Sequence, residues 1–320
     1  MSSTNVLQAI LLAEQHIRPY IRTTPLEHSP HLSKTLNSQV FLKLENLQAT
    51  GSFKVRGAMN ALLSLTQAQR DMGVVTASSG NHGIAVAYGL NTLKINGTIF
   101  VPENTSSSKV DAINNYGVDI HFWSTDCLET EIYARAYAEQ HKMLYISPYN
   151  DLHVIGGQGT IGVELSRQIK NIDMVLVAVG GGGMISGIAG YLKTIFPQIE
   201  IIGCSPLNSP VMARSIQSGH LLDMESLPTL SDGTAGGIEN DSITFPLCQK
   251  LVDDYILVSE DEIRHAMRQF IETHHMLIEG SAAVPIAALL KMPERFQGKT
   301  VVIVLCGANI SLETVQSVIS

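Results

Sequence analysis

Cysteine is scarce in this sequence: Cys127, Cys204, Cys248 and Cys306 lie far apart, with no CxxC spacing. That spacing excludes a disulfide framework or a thiolate metal cluster and fits free thiols in a reducing compartment. Charge is also low, Asp, Glu, Lys and Arg making up 16% of 320 residues, and aromatics reach only 6% with a single Trp. The net charge of -8 is dispersed, with no basic block interleaved with aromatics, so no nucleic-acid partner is expected. No apolar run approaches the roughly 20 residues that span a bilayer. The first residues, MSSTNVLQAI, lack the basic, apolar and small-residue order of a leader. These absences imply a cytoplasmic chain without a membrane partner. The histidines offer no ligand spacing either. His274 and His275 are adjacent and read as facing different sides of a helix, and His28 and His31 flank Pro30 in what reads as a loop, so no metal is expected.

What is abundant is Ala, Gly, Ile, Leu and Val, within an apolar share of 45%. Such a composition suits sheets covered on both faces. The length favours two domains over one core. Val6, Ile10, Ala13 and Ile17 form one stripe of an N-terminal helix that stops before Arg22-Thr23-Thr24-Pro25. After it, β-branched runs at 39–44, 74–77, 98–101, 118–123 and 144–147 alternate with helical patterns starting near Ser52, Asn81, Ser106 and Thr130. The second half repeats the habit, with strands at 174–179, 199–204, 255–258 and 300–305. Alternation of this kind predicts an α/β fold of two parallel-sheet domains. The turn formers Pro148-Tyr149-Asn150-Asp151 mark the crossing between them. The expected division is a large domain of residues 1–50 and 149–320 with a smaller α/β domain of residues 51–148 nested in it.

Four consecutive glycines, Gly180, Gly181, Gly182 and Gly183, precede Met184 between a strand and a helix. Each costs more backbone entropy than any other residue, which is reasonable only where backbone N–H groups must crowd around an anion at a helix N-terminus. A tight turn with close packing is the alternative, and it needs only one or two glycines. A nicotinamide dinucleotide is disfavoured as the source of that phosphate: Ser186 stands where a third glycine is wanted, and the next strand ends without a carboxylate, Glu200 being at its wrong end. In Ser52-Phe53-Lys54 an aromatic precedes a lysine among small residues, which suits an amine that forms an imine with a ring aldehyde. In Ser78-Ser79-Gly80-Asn81-His82 hydroxyls, an amide and a helix start stand together, as a carboxylate site or a simple N-cap requires.

These three segments, with Asp232-Gly233-Thr234-Ala235-Gly236-Gly237, Glu279-Gly280 and Cys306-Gly307-Ala308-Asn309, occur in an order that resembles the fold-type II pyridoxal-phosphate enzymes, most closely the serine/threonine dehydratases and serine racemases. The resemblance covers nearly the whole chain. It implies pyridoxal 5'-phosphate as cofactor, Lys54 as the Schiff-base lysine and base, and Phe53 packed on the cofactor ring. It implies further that Asn81 bonds the ring hydroxyl, that Gly180 to Met184 cradle the phosphate, that Glu279 sits near the ring and that Gly233 lends its backbone near the imine. Ser78, Ser79, Gly80, Asn81 and His82 would then receive the substrate carboxylate, and Cys306 would face the pyridine nitrogen. A neutral partner there drains less charge into the ring, so loss of a β-leaving group competes well with transamination. The activity implied is dehydration and deamination of L-threonine, L-serine or a related β-hydroxy amino acid to a 2-oxo acid and ammonia, by a homodimer.

Four departures qualify that expectation. Ser79 stands where many dehydratases have a non-ionising small residue and racemases have an acid/base, which makes amino-acid racemisation the runner-up. Ser205 replaces the carboxylate of the racemase metal site. The chain ends soon after Asn309, where biosynthetic threonine dehydratases continue into a regulatory domain. The 232–239 segment is unusually glycine-rich and lies near the expected substrate side chain, consistent with a less common β-hydroxy amino acid. A non-catalytic amino-acid sensor and a nicotinamide dehydrogenase are the readings from other classes.

Overall fold

The structure is a computed structural model that describes residues 3–320. Its strands are β1 (Leu26–His28), β2 (Gln39–Lys43), β3 (Val74–Ala77), β4 (Gly97–Val101), β5 (Asp119–Phe122), β6 (Leu144–Tyr145), β7 (Met174–Ala178), β8 (Glu200–Pro206), β9 (Asp254–Val258) and β10 (Thr300–Val304). They form two sheets, a larger one of order β1-β2-β10-β7-β8-β9 and a smaller one of order β5-β4-β3-β6. Every pairing is parallel except β1 with β2. The expected α/β architecture of parallel sheets is therefore present, with one antiparallel edge strand added to it.

The helices up to the crossing are α1 (Ser3–Ile17), α2 (Pro30–Leu36), α3 (Lys54–Leu63), α4 (Gln67–Met72), α5 (Asn81–Leu93), α6 (Ser107–Asn114) and α7 (Cys127–Gln140). After it come α8 (Leu152–Gln168), α9 (Gly183–Ile195), α10 (Val211–Ser218), α11 (Thr244–Leu251), α12 (Glu260–His274), α13 (Gly280–Lys291), α14 (Pro293–Phe296) and α15 (Leu312–Ile319). The stripe Val6, Ile10, Ala13 and Ile17 is fully buried, which docks α1 on the larger core. That core is built on the near-continuous apolar strands β7 and β10, whose register sets Val302 level with both Val175 and Phe41. A sheet covered on both faces buries such strands entirely.

Three local expectations change. His28 closes β1, and Pro30 opens α2 instead of lying in a loop: Ser29 caps the helix by accepting the Leu32 N–H, and proline at the first helical position gives up no hydrogen bond. His275 is the left-handed cap of α12, with φ 53°, so only His274 belongs to the helix. The helix expected near Thr130 begins at Cys127, because Asp126 accepts the Glu129 N–H.

The helix that starts at Lys54 is fastened by buried charge. Arg56 makes a two-pronged contact with Glu45 at 2.7 and 2.8 Å and donates to Glu164 on α8 at 2.8 and 3.0 Å. Lys43 of β2 donates to the Thr24 carbonyl at 2.7 Å and pairs with the same Glu164. All four side chains are within 1% of full burial, and two cations balance two anions. Burial alone would raise the Glu164 carboxyl, but Arg56 and Lys43 outweigh it and hold the group near 2.

Candidate active site

Lys54 is brought to the end of β10 by backbone contacts on either side of it. Ser52 bridges Gly307, and the Phe53 N–H donates to the Cys306 carbonyl at 3.0 Å. The lysine is the first residue of α3, and its Nζ donates to the Pro148 carbonyl at 3.0 Å and stands 5.4 Å from the Phe53 ring centre. Burial lowers its pKa to about 8, against the opposing pull of Cys306 and Glu279. Near neutral pH a useful fraction of this amine is uncharged, as an amine attacking an aldehyde requires.

Around it lies a cluster joining four segments. Asn81 donates its amide to both Glu279 oxygens, at 2.9 and 3.0 Å, and accepts from the Asn309 amide at 2.6 Å. The Cys306 thiol donates to Glu279 at 3.6 Å, and the Glu279 N–H donates to the Gly307 carbonyl. Gly233 completes the ring of contacts: a side chain there would reach within 3.7 Å of the same carboxyl. Burial pushes Glu279 up to about 7, and Asp232 adds to the rise. Burial and Glu279 hold the Cys306 thiol well above its ordinary value, so it stays neutral.

The segment 78–82 follows β3 and opens α5. Ser78 Oγ accepts the Gly80 N–H, and His82 is turned inward, its Nε2 donating to the Ile146 carbonyl at 3.1 Å. That bond puts the ring proton on Nε2 and leaves Nδ1 buried as an unpartnered acceptor. Burial and Lys54 hold the imidazole near 3, hence neutral. Ser79 and Gly80 are half-buried at the helix start, with no side-chain partner for Ser79 among the described residues.

The glycine loop joins β7 to α9. Gly182 caps that helix in the left-handed region, with φ 82°, where a side chain would also press on Cys248 and Met212. A Cβ on Gly181 would collide with the Tyr149 ring, so the loop and the Pro148–Tyr149 segment lie face to face. Tyr149 thus adjoins the glycine loop while its neighbour Pro148 holds Lys54. The backbone N–H groups of Gly180, Gly181 and Gly182 meet no backbone carbonyl among the described residues.

The family described as pyridoxal-phosphate-dependent enzyme matches residues 17–307 of the chain. This chain belongs to the pyridoxal-phosphate-dependent enzymes. Among relatives, the catabolic L-threonine dehydratase of Staphylococcus aureus (strain USA300) is 40% identical over 311 residues, 96% of this chain and 90% of that protein. Among solved structures, the processed form of threonine deaminase isoform 2 from Solanum lycopersicum aligns with TM-score 0.93 and 34% identity, covering 99% of this chain and 93% of the other. Maize serine racemase aligns with TM-score 0.92 and 32% identity, covering 97% and 95%.

The residues present fit the cofactor of such an enzyme. A buried amine with a depressed pKa suits the aldehyde, unsatisfied N–H groups at a helix N-terminus suit the phosphate, and a neutral thiol suits an unprotonated ring nitrogen. Of the residues named from sequence, Lys54, Phe53, Asn81, Gly233, Glu279 and Cys306 meet in one cluster. Gly181 and Gly183 adjoin it through Tyr149, while Gly180 lies against Thr234 and Gly182 against Cys248 and Met212. Sequence reasoning missed the Asn309 amide, the Pro148 carbonyl and Tyr149. Their signals were faint: an asparagine ending a motif, and two residues in a turn-forming run.

Proposed function

We propose that the chain is an ammonia-lyase that removes water and then ammonia from L-threonine and L-serine, giving 2-oxobutanoate and pyruvate. One observation carries the reading: the Lys54 amine, lowered to about 8, rests on the Pro148 carbonyl beside the Asn81–Glu279–Cys306 cluster. The 40% identity to a catabolic L-threonine dehydratase supports the substrate class. Pyridoxal phosphate, when bound, supplies an electron sink for the pair left at the substrate α-carbon. Lys54 would hold the cofactor through its amine and would accept the α-proton of the substrate at Nζ. The 78–82 segment at the start of α5 binds the substrate carboxylate through hydroxyls and backbone N–H groups. Its His82 ring, committed to Ile146, supports the loop from beneath. Cys306, a neutral thiol, would leave a ring nitrogen set against it unprotonated, which would favour departure of the β-hydroxyl.

Racemisation is the second reading, and Ser79 favours it. A hydroxyl at the start of α5 without a side-chain partner offers a second proton donor. The boundaries 1–50 with 149–320 and 51–148 are part of the proposal, supported by the two separate sheets. A cytoplasmic homodimer is carried forward with it, supported by four free cysteines and by the family resemblance.

The test is absorbance at about 410 nm, where a lysine-bound cofactor absorbs, followed by assay of ammonia and oxo acid from L-serine, L-threonine and their D-isomers. The expected result is a yellow protein that yields oxo acid from the L-isomers and loses both colour and turnover in Lys54→Ala. Ser79→Ala should spare elimination while abolishing racemisation. A colourless protein, or one that turns over no β-hydroxy amino acid, would refute the proposal.

A further inference from the structure

The glycine-rich 232–239 segment ends at Glu239, whose surroundings have nothing to do with glycine. Its carboxylate accepts the Asn150 amide at 2.8 Å and the Ser147 hydroxyl at 3.5 Å, and pairs with Arg135 of α7 at 2.9 Å. Its backbone N–H donates to the Tyr149 hydroxyl at 3.0 Å. One residue therefore touches Ser147, Tyr149 and Asn150, three of the four positions of a strap whose remaining member, Pro148, holds Lys54.

The strap is otherwise lightly anchored. Ser147 Oγ accepts the Asn150 N–H at 3.0 Å, a local turn, and Asn150 Oδ1 accepts the Ile243 N–H at 2.9 Å. The Tyr149 N–H also donates to Ser147 Oγ at 3.4 Å, and Tyr149 lies against Gly181 and Gly183; the remaining side-chain contacts of the strap are those to Glu239. Arg135 is itself oriented, its guanidinium 4.1 Å above the Tyr145 ring and within 2.9 Å of Glu131. An α7 cation, a loop carboxylate and the strap thus form a chain of contacts that ends on both the lysine and the glycine loop.

We propose that Glu239 is a positioning residue: paired with Arg135, it holds the Ser147–Asn150 strap so that the Pro148 carbonyl orients the Lys54 amine and the Tyr149 ring walls the glycine cradle. The inference rests on the reading of Lys54 and the glycine loop as the cofactor site. Charge-assisted hydrogen bonds of this kind are the stronger ones, and pairs that act through each other show non-additive losses.

The experiment titrates the cofactor-free protein with pyridoxal phosphate, following absorbance at about 410 nm, and measures kcat and KM in parallel. Variants are Glu239→Gln, Arg135→Gln, the two combined, and Glu239→Ala. Glu272→Gln, which removes an exposed carboxylate paired with Arg268 on α12 away from the strap, is the control and should stay within about twofold. Glu239→Gln and Arg135→Gln should each weaken cofactor binding about fivefold, the combination no more than either alone, and Glu239→Ala about tenfold, with kcat falling and KM holding within about twofold. Additive losses would overturn the proposal, as would unchanged cofactor affinity with only a lower melting temperature. If the affinity pattern appears in a protein that turns over no amino acid, the strap stands and the lyase reading falls. If turnover stands and affinity does not move, the strap falls alone.

Discussion

Glu279 is a buried carboxyl in no ion pair among the described residues, its oxygens satisfied by an amide and a thiol. Because burial raises it to about 7, the folded protein binds a proton there that the unfolded chain releases near 4.3. A group raised in the folded state contributes stability below its unfolded pKa and loses it as pH climbs through the folded one. For Glu279 the window runs from roughly pH 4.5 to 7, and the loss is about 3 kcal/mol. Glu279→Gln, which cannot ionise yet still offers an oxygen to Asn81, should remove that loss. Urea unfolding of the cofactor-free protein at pH 5 and 7.5 checks it: the wild type should weaken by about 2.5 kcal/mol more than the variant. Parallel behaviour of the two proteins would mean that the carboxyl is ionised throughout. At this scale the sequence was informative about identity and silent about state. Glu279 was expected near the cofactor ring, but its pKa near 7 arises from burial and from Asp232, against the opposing hydrogen bonds of Asn81 and Cys306, and these groups lie far from it in sequence and close in space.

At the scale of elements, α3 carries the lysine and Arg56 carries α3. The two-pronged Glu45 contact and the Glu164 contact leave the guanidinium fully buried with every prong used. Removing one partner of such a pair leaves an unpaired buried charge, a loss of roughly 3–5 kcal/mol. Arg56→Leu should therefore lower the unfolding free energy by about 3–5 kcal/mol, and Arg56→Lys by less, since it keeps the charge but not the planar fork. Chemical denaturation of the cofactor-free protein reads both, and an Arg56→Leu cost below about 1 kcal/mol would show that the cluster contributes no net stability. None of this cluster was legible beforehand. Lys43 lies in a strand and Arg56 in a helix, where lone charges ordinarily face water. The short β1 escaped for a different reason: Leu26-Glu27-His28 has no β-branched residue, and only its partner β2 makes it a strand. The extension of β8 to Pro206 likewise depends on β9, which pairs with Ser205 and Pro206.

For the molecule as a whole, the two sheets were legible because parallel strands buried on both faces read as apolar runs at regular spacing, whereas the way the sheets share a site was not. Lys54 lies at the end of a segment that leaves the larger sheet, the 78–82 loop follows β3 of the smaller one, and the glycine loop follows β7 of the larger. On the proposed reading the cofactor is held by Lys54, which belongs to the 51–148 unit, and by the glycine loop of the larger sheet, so its binding free energy adds to the stability of both. Ligand at 100 times its dissociation constant stabilises by about 2.7 kcal/mol, which corresponds to roughly 4 °C in melting temperature for a chain of this size. Pyridoxal phosphate should therefore raise the single melting transition of the wild type by about that amount. In Lys54→Ala the proposed phosphate cradle is kept while the proposed covalent link is lost, so a smaller rise is expected at the same concentration. A scan in which the cofactor shifts one transition and leaves a second in place would show that the two sheets unfold separately and that the cofactor is held by only one of them.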